Sequence, residues 1–123
     1  MKIAILGAGK MGAWLAARLS DAHDVVVHDP VRSPAASIGG ARPIPALADM
    51  SGFRPDMLVN CVPLGMTAEA FDAALPFLPE ACMLSDIASV KTGPAAYYAA
   101  SGRPFASTHP TFGPAYAREA NPA

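Results

Sequence analysis

Glycines at positions 7, 9 and 12 leave this chain few ways to begin. They follow directly on the apolar run Lys2-Ile3-Ala4-Ile5-Leu6, and beyond them Met11, Leu15 and Leu19 recur at helical spacing, with alanines between, as far as Ser20. A strand must therefore turn into a helix across Gly7-Ala8-Gly9-Lys10-Met11-Gly12. Gly7 permits the tight turn out of the strand. Gly9 lets the backbone approach a bound group with no Cβ in the way, and Gly12 lets the helix pack closely on the sheet. Three consecutive valines within Asp24 to His28 then mark a second strand, covered on both faces.

The alternation continues along the chain. Pro30 to Pro45 is rich in Pro, Gly and Ser and reads as loop, with at most one short strand near Arg42 to Ile44. Ala46 to Met50 suits a helical turn. Asp56 to Val62 is the next strand, ended by Pro63. Thr67 can cap a helix running to about Leu78, with Glu69 in its first turn. Ala81 to Ser85 reads as a strand, Lys91 to Ala100 as a helix, and Pro104 to Thr108 as a last short strand. This pattern predicts an α/β fold: a doubly wound parallel sheet in three αβα layers, the Rossmann arrangement, with strand order 3-2-1-4-5-6. There is no internal repeat and no interdomain linker, so residues 1–123 read as one domain. With 52% hydrophobic residues, it has ample apolar side chain for a core.

In such sheets ligands bind beyond the carboxyl ends of the strands. The glycine loop there fits G-x-G-x-x-G, whose free N–H groups and helix start receive a pyrophosphate. Asp29, at the end of the second strand, stands where an acid accepts hydrogen bonds from adenosine ribose hydroxyls. Strand, loop, helix and acid agree on a dinucleotide. Asp29 would repel a 2′-phosphate, which favours NAD over NADP, although Arg32 could instead clasp that phosphate.

Other classes are disfavoured. The formal net charge is −1 with no run of like charges, which argues against a nucleic-acid or membrane-surface binder. No apolar stretch approaches membrane-spanning length, and the first residues lack a leader's cleavage region, so a cytoplasmic location is expected. Cys61 and Cys82 sit in apolar runs and read as buried free thiols. No His/Cys cluster has metal-ligand spacing.

Three later stretches fall on the ligand edge of the sheet. Asn60-Cys61-Val62-Pro63 needs no role beyond a Pro-terminated strand end. Ser89, within Asp86-Ile87-Ala88-Ser89-Val90-Lys91, is plainly read as a helix N-cap with Lys91 solvated. His109, opening His109-Pro110-Thr111-Phe112-Gly113-Pro114, is a general-base candidate at the cofactor edge, though a lone loop histidine is more often only hydrogen-bonded. His23 lies in a turn at the opposite edge and His28 within the second strand, and both look less promising.

Taken together, the G-x-G-x-M-G loop, Val62-Pro63, D-x-x-S-x-K at Asp86 to Lys91 and H-P-x-F-G-P at His109 to Pro114 resemble the N-terminal domain of prephenate dehydrogenases, including arogenate and cyclohexadienyl dehydrogenases. The last two motifs discriminate, because many reductases share the glycine loop. Thr111 departs from the family, where Met is common. The resemblance implies NAD(P)-dependent oxidative decarboxylation of prephenate or arogenate in tyrosine biosynthesis. His109 would take the proton of the substrate's C4 hydroxyl, and Ser89 would orient that hydroxyl or the nicotinamide. Gly7 to Gly12, Asp29, Arg32, Val62, Pro63 and Ser89 would contact the cofactor. The family's second, helical domain supplies dimer contacts and the cations that hold the substrate carboxylates. This chain ends at Asn121-Pro122-Ala123 with nothing to form it. The expectation is a cofactor domain with little or no dehydrogenase activity by itself, acting as a homodimer or beside a partner chain that supplies the helical part. Two alternatives stand beside it: a β-hydroxyacid dehydrogenase or pyrroline-carboxylate reductase relative, and a non-catalytic nucleotide-binding module.

Overall fold

The computed structural model describes residues 1–29, 39–87, 97, 100, 102 and 104–107. Six strands form one sheet: β1 (Lys2–Leu6), β2 (Asp24–His28), β3 (Arg42–Pro43), β4 (Met57–Asn60), β5 (Met83–Asp86) and β6 (Phe105–Ser107). Their order is β3-β2-β1-β4-β5-β6 and every pairing is parallel, as the alternating pattern predicts. Helices α1 (Lys10–Leu19), α2 (Met50–Phe53) and α3 (Thr67–Ala74) cover the faces.

Both faces of the central strands are buried because their residues are apolar without interruption. Ile3 and Ile5 of β1, Val25 and Val27 of β2, and Val59 of β4 join Ala16 of α1 in one core. Their neighbours Ala4, Leu6, Val26 and Leu58 point the other way, into a second core with Met50 of α2 and Phe71 and Ala74 of α3. Phe71 stacks on Tyr97 at 5.1 Å, and the Tyr97 hydroxyl donates to Asp72 at 2.8 Å, which ties that residue to α3.

Three local expectations are corrected. On α1 the buried residues are Gly12 and Ala16, while Met11, Leu15 and Leu19 are only half-buried. The helix runs so close to the sheet that only small side chains fit beneath it, and the large ones flank the contact. Thr67 is not a cap: Met66 holds that position, no side chain caps the helix, and Thr67 is buried in its first turn. The same helix stops at Ala74 rather than Leu78, giving way to a 3-10 turn over Leu75–Phe77. Pro76 has no N–H to continue the α-helical ladder, which accounts for the early stop. The helix expected over Lys91 to Ala100 lies outside the described residues, apart from Tyr97 and Ala100, which are helical.

Candidate cofactor site

The strand order reverses between β1 and β4, and there the segments that follow these two strands leave the sheet side by side. Cys61 N–H donates to the Leu6 carbonyl at 2.7 Å, and Gly7 N–H donates to the His28 carbonyl at 2.9 Å. Gly7 has φ +97°, and a Cβ on it would lie 3.0 Å from the Cys61 backbone. Gly12 is more constrained: its Cβ would stand 2.0 Å from the Gly7 carbonyl oxygen. What requires glycine there is thus the loop's own backbone, folded back on the helix start, more than the sheet.

Asp29 closes the arrangement. It is 6% exposed, and its Oδ2 accepts the Ala8 N–H at 2.7 Å. The carboxylate expected to meet a ribose therefore also ties down the glycine loop. Helix α1 starts with no side-chain cap and no acidic residue in its first turn, so the positive end of its dipole is left for an anion.

These features border a cleft of about 570 Å³ at the carboxyl ends of the strands. Gly7, Gly9, Lys10, Met11, Asp29, Val62 and Pro63, all singled out from the sequence, line it. Ala8 takes part through its N–H to Asp29. Arg32, Ser89 and His109 lie outside the described residues. A groove of about 720 Å³ at the opposite, amino-terminal edge, between Met1, Lys2, Asp24 and Asp56, contains none of the sequence-predicted site residues.

Cys61 and Cys82 are both free thiols, but only Cys82 is in the core. Cys61 is half-buried in the cleft wall, because it follows the last residue of β4 and so stands at the sheet's edge. Burial, reinforced by the nearby Asp86 carboxylate, pushes its thiol up to about 12. It is a neutral, unreactive wall, not a nucleophile.

Two features of the site were not read from the sequence. Asn60, taken as an unremarkable strand end, is 2% exposed; its amide donates to the Thr67 carbonyl at 3.0 Å, and its Oδ1 accepts the Val62 N–H at 3.2 Å. It staples the end of β4 to the start of α3 and so sets the wall formed by 61–66. His28, Leu47, Ala70 and Ala73 also line the cleft. For His28 a signal existed, since strand alternation puts it on the face of Val26, toward α2 and α3. Among the described residues no cluster of His, Cys, Asp and Glu could hold a metal ion, and no helix is long and apolar enough to cross a membrane.

The residues present fit a dinucleotide: a tight glycine turn with no room for a Cβ at Gly7 or Gly12, an uncapped helix start, and an acid at the end of β2. No family model matches the chain. Over 59 residues, 47% of this chain, it is 46% identical to a T-protein of Enterobacter agglomerans, of which the match covers 16%. An arogenate dehydrogenase of Synechocystis shares the fold at TM-score 0.75 and 22% identity, over 89% of this chain and 41% of that one. A prephenate dehydrogenase of A. aeolicus, solved with hydroxyphenyl propionate and NAD+, gives TM-score 0.75 and 21% identity over 90% and 42%. The chain thus spans about two fifths of each dehydrogenase and a smaller share of the T-protein. The chain has the Rossmann fold, which it shares with these two dehydrogenases.

Proposed function

We propose that residues 1–123 are the cofactor-binding domain of a prephenate- or arogenate-dehydrogenase-like oxidoreductase that uses NAD. The observation that carries this reading is the 2.7 Å bond from Ala8 N–H to Asp29, which brings the pyrophosphate cradle and the ribose-reading acid into one cleft. A carboxylate held there repels a 2′-phosphate, which favours NAD over NADP. The T-protein match and the order of motifs through His109-Pro110-Thr111-Phe112-Gly113-Pro114 support the dehydrogenase assignment.

In this reading Gly7 to Gly12 hold the diphosphate, with Lys10 adding positive charge, and Asp29 holds the adenosine ribose. Val62 and Pro63 form the wall. NAD+, when bound, would supply the hydride acceptor for oxidation at C4 of the cyclohexadienyl ring, with the ring carboxylate lost as CO₂. His109 accepts the C4 hydroxyl proton, because hydride departure needs electron density from that oxygen. Ser89 contacts the same hydroxyl or the nicotinamide and helps orient both. The cations that hold the substrate's carboxylates come from a helical domain outside these residues, in the same polypeptide of a cytoplasmic homodimer or in a partner chain.

Calorimetric titration of the purified chain tests the cofactor reading: NAD+ binds, and more tightly than NADP+. Tighter NADP+ binding would overturn the preference. Residues 1–123 alone turn over little or no prephenate or arogenate. Supplied with the helical domain, they do, and His109→Asn abolishes that turnover while NAD+ affinity stays nearly unchanged. Loss of NAD+ binding in that variant would make His109 structural.

A further inference from the structure

One polar ring in the cleft has no part in the reading above. His28 is 8% exposed and precedes Asp29 on the chain, and its Nδ1 lies 3.0 Å from the Ile44 carbonyl oxygen. A carbonyl oxygen can only accept, so Nδ1 carries the proton, and in the neutral ring Nε2 is an acceptor. His28 lines the cleft, and Nε2 is the ring nitrogen left to meet a bound group. The surroundings are mostly apolar: Leu47, which follows β3, and Met66, Ala70 and Ala73 on the α3 side.

The position of this slot indicates its occupant. The glycine loop follows β1, Asp29 follows β2 and Leu47 follows β3, and these strands are neighbours in the sheet. A diphosphate on the loop with its ribose at Asp29 therefore sends the attached base toward the β2–β3 side, between His28 and Leu47. We propose that His28 reads the adenine of the bound dinucleotide, its Nε2 accepting a hydrogen bond from the exocyclic 6-amino group, and this rests on the dinucleotide reading above. Glu69 is another acceptor on the cleft, but it is exposed, and a solvated carboxylate discriminates weakly. Nε2 sits in a slot from which a bound base excludes water, so an unmatched partner there is costly.

Hypoxanthine carries a 6-oxo acceptor where adenine carries the 6-amino donor, so nicotinamide hypoxanthine dinucleotide sets two acceptors against each other. Titration calorimetry of the purified chain should show NAD+ binding about tenfold more tightly than this analogue. In His28→Phe the two should bind within about twofold of each other, whereas Glu69→Gln should keep the preference. Equal affinities in the unsubstituted chain, or a preference that survives in folded His28→Phe, would overturn the inference. Where circular dichroism shows His28→Phe unfolded, Glu69→Gln decides: a retained preference supports His28 and a lost one overturns it. Absence of NAD+ binding would remove the dinucleotide reading itself, whereas NAD+ binding without base preference removes only this assignment.

Discussion

At the scale of single residues, the cleft is defined by atoms that cannot be added. A methyl group at Gly12 would stand 2.0 Å from a backbone oxygen, and no side-chain rotation can relieve that contact. Gly12→Ala is therefore expected to destabilise the domain by about 3 kcal/mol, at the upper end of the overpacking range, and to distort the loop. Urea unfolding and NAD+ titration check both effects. Gly52→Ala, where an added Cβ meets nothing within 4 Å, is the control. Cys61 makes a pH-dependent prediction. Its thiol is raised from 9.0 to about 12 in the folded chain, so the folded state holds this proton more tightly than the unfolded state. The resulting stability is complete below pH 9.0 and is lost as pH rises toward 12, by at most about 1.4 kcal/mol per pH unit. Urea unfolding at stepwise alkaline pH should show a steeper loss for the unsubstituted chain than for Cys61→Ala.

At the scale of elements, the critical joint is between β4 and α3. The α3 end of that connection is not capped in the expected way, since Thr67 lies inside the helix and Met66 offers no capping oxygen. Asn60 compensates by bonding the backbone on both sides of the turn, at Val62 and Thr67. Asn60→Leu is close in volume but leaves an N–H and a C=O without these partners, at about 1–3 kcal/mol. Its unfolding midpoint should fall accordingly. NAD+ affinity should fall as well, because Val62, Pro63 and Met66 lose their fixed position along the cleft. An unchanged affinity in a destabilised variant would confine Asn60 to folding.

At the scale of the whole molecule, the parallel sheet brings together segments far apart in sequence, so a ligand in the cleft touches groups anchored on β1, β2, β4, α1 and α3 together. Binding there should stabilise the domain as a unit. NAD+ at a hundred times its dissociation constant is expected to add about 2.7 kcal/mol, several degrees in Tm. Scanning calorimetry with and without NAD+ measures this, and a Tm that does not move would count against occupancy of the cleft.

Among the described residues the order of elements was legible because local rules set it. Continuous apolar runs mark strands buried on both faces, the glycine spacing forces a strand-to-helix turn, and parallel strands need crossovers of one hand. The glycine loop and Asp29 were legible for the same reason, as neighbours within one βαβ unit. What the chain alone did not disclose are contacts between segments distant along it. Asp29 reaches back 21 positions to Ala8. His28 was read as an ordinary strand residue until Ile44 fixed its proton and α3 closed the slot around it. Cys61 was read as core until the sheet's edge placed it in a wall. Periodicity reports which face a residue takes, but only packing decides what stands opposite that face, and the chemistry of this cleft lies in those oppositions.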